Sequence, residues 1–190
     1  MTFTHRCTAA ATSLALALGL SLAPPAYSQA QQAPLAAIAA LDVARYMGTW
    51  HEVARYPNVF QRRCAADTSA RYTLQADGRV EVLNRCRTDE GEMIEALGEA
   101  RQQGAADSPR LKVRFAPAWL SWLPLVWGDY WVIDLDDAYQ LVAVSEPGRD
   151  YLWVLSRTPQ VDAAAYDALL GRLAAKGFDL KRLERSPSRP

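Results

Sequence analysis

From Trp50 the chain alternates. Trp50, Glu52, Ala54 and Tyr56 fall on one side of an extended strand, and His51, Val53 and Arg55 fall on the other. The same period-two reading, interrupted by turn-forming residues, predicts further strands over 68–75, 79–87, 92–102, 111–115, 129–135, 141–146 and 151–157. Asp77-Gly78 is a strong hairpin signal between the second and third strands. Asp136-Asp137 and Pro147-Gly148-Arg149-Asp150 separate the last three. One helix is predicted near the C-terminus, where Asp162 can cap it, Tyr166, Leu169, Leu170 and Leu173 form an i, i+3, i+4, i+7 stripe, and Gly177 can end it. That stripe is expected to pack against the strands.

Eight consecutive antiparallel strands with short connections suit a closed up-and-down barrel or a two-sheet sandwich. The absence of long crossover loops favours the barrel, an all-β fold with one C-terminal α-helix. A barrel of eight strands is just wide enough to hold one small ligand. Its inward positions are expected to include Glu52, Ala54 and Tyr56 from the first strand and Val80, Val82 and Asn84 from the third. Ile94, Ala96, Gly98 and Ala100 follow from the fourth, Tyr130 from the sixth, and Tyr151, Trp153 and Leu155 from the eighth, on the face of Arg157. Periodicity leaves two readings open, in which these residues either fill the barrel or line a cavity. Glu52 stands out, because an inward carboxylate must find a partner, shift its pKa upward or meet water. It is expected to pair with an inward polar group or with the head group of a ligand.

The N-terminus carries a different pattern. His5 and Arg6 precede an apolar run over 9–23, then Pro24-Pro25 and the small-x-small triplet Ala26-Tyr27-Ser28, which together predict a secretory signal peptide over 1–28 cut near 28–30. The run is shorter than the ~20 residues a membrane span needs. Residues 29–40 are expected to be flexible, 41–183 to form the domain, and 184–190 to be a tail. Cys7 precedes the apolar run and no Cys follows closely, so no lipid anchor is expected and the mature chain is placed in the periplasm. Cys64 and Cys86 then remain, and two cysteines in an oxidising compartment read as one structural disulfide.

Composition narrows the function classes. The 190 residues carry 21 basic and 21 acidic side chains, and the basic ones, 18 Arg and three Lys, are scattered, which points neither to nucleic acid nor to a polybasic membrane patch. Outside the leader the one histidine is His51, and there is no Cys-x-x-Cys, so neither metal nor cofactor is expected. Gly-x-Ser-x-Gly, His-Glu-x-x-His and a Gly-rich phosphate loop are absent. With no catalytic residues to name, the expectation is a binding module rather than an enzyme.

Three motifs in order carry a family resemblance. They are Gly48-Thr49-Trp50, preceded by the helical-looking Val43-Ala44-Arg45-Tyr46; the acidic turn Asp134-Leu135-Asp136-Asp137 with Tyr139; and Arg157 in WVLSRTP. Over roughly 41–183 the chain resembles the lipocalins, nearest to the bacterial group that also includes apolipoprotein D and plant temperature-induced lipocalins. The resemblance implies that Trp50 lies across a closed barrel floor with Arg157 packed on it, and that Gly48, Asp134 and Asp136 belong to the same floor signature. It also tips the barrel towards a cavity. It implies a fatty acid or lysophospholipid as ligand and a role in lipid transport, storage or envelope maintenance. The runner-up is a tetrapyrrole or other pigment, against which the expected outward position of His51 argues. A barrel that binds proteins without a lipid ligand is the third reading.

The segment 116–128, APAWLSWLPLVWG, joins the fifth and sixth strands at the end opposite Trp50. It holds Trp119, Leu120, Trp122, Leu123, Leu125 and Trp127 and no charge. Such a cluster needs a covering. It is expected to be a lid on the barrel, an interface in a homodimer, or a peripheral membrane contact, since Trp partitions to the headgroup region.

Overall fold

The computed structural model describes residues 33–188; the expected signal peptide lies outside them. Eight strands, β1 (Gly48–Arg55), β2 (Ala66–Leu74), β3 (Val80–Arg87), β4 (Met93–Gln102), β5 (Arg110–Arg114), β6 (Gly128–Leu135), β7 (Leu141–Ser145) and β8 (Leu152–Ser156), each pair antiparallel with the next. β1 also pairs with β8 and β2, which closes the barrel. The β2–β3 hairpin turns where the sequence signals it, with the Asp77 carboxylate accepting the Arg79 backbone N–H at 3.1 Å. Helix α1 (Val43–Tyr46) precedes the barrel and α2 (Ala163–Ala175) follows it. Asp162 caps α2 by accepting the Ala165 N–H at 2.9 Å.

Two bulges decide which side chains face where. The β1–β8 register shifts between Glu52 and Ala54, so Glu52 opposes Leu155 and Ala54 opposes Val154. An extra residue reverses the in–out alternation beyond it. Trp50 and Glu52 therefore face the interior, whereas Ala54 and Tyr56 turn outward into a core with Tyr166, Leu169, Leu173 and Phe178. The expectation that Ala54 and Tyr56 climb the inner face is corrected by this bulge. β6 carries a second shift between Val132 and Asp134. It turns Asp134 outward, where Arg172 of α2 grips the carboxylate at 2.9 to 3.2 Å. Asp134 thus anchors the helix and does not join the floor.

The described residues form two apolar cores. One lies inside the barrel around Trp50, Tyr46, Tyr72, Val82, Val132 and Leu155. The other lies between α2 and the outer face of β1, β6, β7 and β8, and every residue of β7 is buried between the two. The outer face of β2 to β4 meets solvent instead, with Arg71, Glu81, Arg85 and Leu97 partly or fully exposed.

Both ends of the described span are tied down. In the stretch expected to be flexible, Leu35 is buried in the outer core, the Ile38 N–H bonds the Val132 carbonyl at 2.9 Å, and the Leu41 N–H bonds that of Asp107 at 2.7 Å. The expected tail forms a short strand, β9 (Glu184–Arg185), antiparallel to Ala54 and Arg55 of β1. β1 pairs with β2 only from Gly48 to His51, and β9 fills the gap where the two diverge. Ser186 N–H bonds Val53 and Asp67 N–H bonds Pro187, so this strap reaches both strands.

Candidate ligand cavity

The closed end is built around Trp50. Its side chain is fully buried, and its indole N–H donates to the Tyr46 carbonyl at 2.9 Å. The Arg157 guanidinium carbon sits 3.9 Å from the centroid of the Trp50 ring. Its nitrogens donate to the carbonyls of Arg45, Thr49 and Tyr139 at 2.6, 3.1 and 3.3 Å. Gly48 has φ +97°, and a Cβ there would lie 3.2 Å from Arg157 Nη1, so both backbone conformation and space call for glycine. Asp136 accepts the N–H groups of Ala138, Gln140 and Leu141, which shapes the turn that delivers Tyr139. The Arg45 guanidinium lies 4.0 Å from the Tyr139 ring centroid, and the Tyr139 hydroxyl accepts the Asp42 N–H at 3.0 Å. Gly48, Trp50, Asp136 and Arg157 are thus brought together at one end.

Above this floor is a cavity of about 680 Å³. Of the expected lining residues, Glu52, Val82, Asn84, Ala96, Tyr130, Tyr151 and Trp153 border it. Gly98 does not. The Phe115 ring lies where its Cβ would be, 2.6 Å from that position, so the glycine admits a ring that itself borders the cavity. His51 is on the face of β1 opposite Trp50 and is not among the lining residues.

Deepest in the cavity, three phenols meet. Tyr130 Oη lies 2.7 Å from Tyr46 Oη and 3.0 Å from Tyr72 Oη. The Tyr46 and Tyr72 rings stack with centroids 5.6 Å apart, and Tyr46 also tilts against Trp50 at 5.1 Å. Burial pushes the Tyr72 hydroxyl up to about 12 and holds those of Tyr46 and Tyr130 well above the ordinary phenol value. The period-two pattern of β2, Ala70 then Tyr72, carries a signal for Tyr72. Tyr46 lies on α1, where strand periodicity says nothing.

Nearer the mouth Glu52 is engaged by protein groups. Its Oε1 accepts from Arg55 Nη1 at 2.7 Å and Ser186 Oγ at 2.5 Å, and its Oε2 accepts from Gln61 Nε2 at 2.5 Å. Gln61 Oε1 in turn accepts the Trp153 indole N–H at 2.9 Å. The bulge makes the ion pair feasible, because strict alternation would set residues 52 and 55 on opposite faces. The carboxylate is therefore paired to inward polar partners, one of the two expected outcomes.

At the rim the Cys64–Cys86 disulfide, with Cα atoms 5.4 Å apart, ties the β1–β2 loop to the end of β3. Phe60 on that loop packs against Tyr151 at 5.5 Å, and Tyr151 stacks on Trp153 at 5.8 Å. In the β5–β6 segment Trp119, Trp122 and Leu125 are 73%, 74% and 96% exposed, while Leu120 and Leu123 are half-buried. Trp127 is half-buried at the rim, its indole N–H on the Ser121 carbonyl at 2.8 Å and the guanidinium groups of Arg101 and Arg114 at 4.7 and 5.2 Å from its ring. Phe60, 71% exposed, adds to the apolar rim from a loop whose short sequence gave no such signal.

Known proteins share this architecture. Temperature-induced lipocalin-1 of Arabidopsis thaliana is 39% identical over 149 residues, covering 77% of this chain and 79% of its own. Outer membrane lipoprotein Blc of Escherichia coli K12 is 37% identical over 142 residues, 74% of this chain and 76% of its own. Apolipoprotein D of Mus musculus is 29% identical over 149 residues, 75% and 74%. Among solved structures the cockroach allergen Per a 4 superposes with a TM-score of 0.61 at 19% identity, covering 78% of this chain and 89% of its own. The family model described as a lipocalin-like domain matches residues 41–188, a span that runs from the floor helix through the C-terminal strap, and the chain belongs to the lipocalin family.

Proposed function

We propose that this protein carries a single-chain lipid, a fatty acid or a lysophospholipid, in the barrel cavity and serves lipid transport or storage in the cell envelope. The observation that supports it most is the cavity itself, about 680 Å³, closed below by Trp50 and walled by aromatic and small apolar side chains. That volume and lining suit a small apolar ligand. The envelope location draws on the relative named as an outer membrane lipoprotein and on the Cys64–Cys86 disulfide, which fits an oxidising compartment. In this reading Trp119, Trp122, Leu125 and Phe60 touch the bilayer and bring the mouth to the surface where lipid is exchanged. Native mass spectrometry of protein purified from cells tests the ligand: a co-purified acyl lipid is expected. A pigment mass, or an empty barrel that takes up no added lipid, would sink the reading.

A further inference from the structure

The two ends of the cavity treat polar groups differently. At the mouth every carboxylate is occupied: Glu52 by Arg55 and Glu146 by the N–H groups of Gly148 and Asp150, while Glu95 with Arg85 and Asp129 with Lys112 pair on the outer face of the rim. Arg85, half exposed on the outer face of β3, is held by Glu95 at 2.9 Å. At the closed end the account is open. Tyr46, Tyr72 and Tyr130 bring three hydroxyl protons together, and their two mutual hydrogen bonds use two of them. The third has no acceptor among the described residues. Beneath them, on the far side of Trp50, lies the Arg157 guanidinium, whose charge eases ionisation of Tyr46 and Tyr72 less than burial opposes it.

From this asymmetry, and resting on the lipid-carrier reading, we infer that the Tyr46–Tyr130–Tyr72 cluster is a subsite for a ligand oxygen, so that a fatty acid binds carboxyl-inward with its chain towards the mouth. A terminal methyl against this cluster would leave a buried donor unanswered, which is costly in an apolar enclosure. A carboxyl oxygen answers it by accepting that proton. The donors persist at physiological pH because a phenol ionises only near pH 10 or above. A lysophospholipid entering chain-first would set its terminal methyl against the cluster and leave that donor unanswered. The cavity therefore selects free fatty acid, or another chain ending in a small oxygen function, over a lysophospholipid.

Carbon-13 NMR of the wild-type protein with carboxyl-labelled palmitic acid reads the orientation directly. A bound carboxyl resonance that keeps its width when a soluble gadolinium chelate is added is the expected result. A resonance broadened by the chelate places the carboxyl at the mouth and overturns the inference while leaving the carrier reading intact. If neither palmitic acid nor lysophosphatidylcholine binds, both fall. As a second measurement, replacement of Tyr46, Tyr72 and Tyr130 together by Phe keeps the rings and removes every hydroxyl of the cluster. It is expected to weaken palmitic acid about ten-fold, the scale of one buried hydrogen bond, and to leave lysophosphatidylcholine unchanged or tighter. Equal loss for both ligands would overturn the subsite.

Discussion

Arg157 serves Trp50 in two ways, as a cation over the indole and as a clamp on three backbone carbonyls. Removing either residue leaves a void and an unmatched partner, so Trp50→Ala and Arg157→Ala are each expected to cost about 2–4 kcal/mol in urea denaturation. Because they touch, the double variant should lose less than the two losses together, and strict additivity would show the contact to be energetically idle. The phenol cluster makes a pH prediction. Below about pH 10 these tyrosines are protonated in both folded and unfolded chains and contribute no pH dependence. Between there and about 12, the raised value for Tyr72, the unfolded chain ionises first, so folding stability falls as pH rises. An alkaline titration of urea midpoints checks this. Triple replacement of Tyr46, Tyr72 and Tyr130 by Phe should flatten the slope. Gly48, Trp50 and Arg157 were legible in the sequence because their motif fixes both type and place. The partners of Glu52 were not, since Gln61 and Ser186 come from a loop and a chain end whose paths no local pattern encodes.

At the scale of elements, the alternation within each strand was readable and its interruptions were not. Glu52-Val53-Ala54-Arg55 looks like an unbroken strand, yet the extra residue sends Ala54 and Tyr56 outward and lets Arg55 reach Glu52. The same holds for Asp134, whose outward turn is decided by the β6 bulge and by the presence of Arg172 across the gap. Arg172 is about half exposed, so Asp134→Asn should cost only about 0.2–1 kcal/mol, far less than a floor residue would. The strap is a stronger dependence. A chain ending at Leu183 loses the β9 pairing and the Ser186 hydrogen bond to Glu52, and it is expected to unfold at clearly lower urea; an unchanged midpoint would make the strap ornamental. Breaking the disulfide by Cys64→Ser with Cys86→Ser frees a loop of 22 residues' separation and should cost about 3 kcal/mol.

For the whole barrel, strand order and closure followed from the count of short strands and their turns, while the paths of 33–41 and 184–188 depended on tertiary contacts made far along the chain. The rim is where the molecule meets its surroundings. Replacing Trp119, Trp122 and Leu125 together with Ser should abolish co-sedimentation with vesicles and slow uptake of a fluorescent fatty acid, with the fold intact by circular dichroism. Unchanged values for both would remove membrane contact; loss of a dimer with vesicle binding unaltered would assign the patch to subunit association. The placement of α2 has a mechanical consequence. It covers β1 and β6 to β8 with a second core, so that wall is clamped on both sides, while β2 to β4 are backed by solvent alone. Local opening follows the weaker packing, and amide exchange should be slowest in β7 and β8 and faster in the upper half of β4, where pairing with β5 stops at Glu99. The barrel is thus a vessel with one stiff wall and one compliant wall, and a chain too wide for the resting cavity would enter by bowing the compliant side, without any hinge.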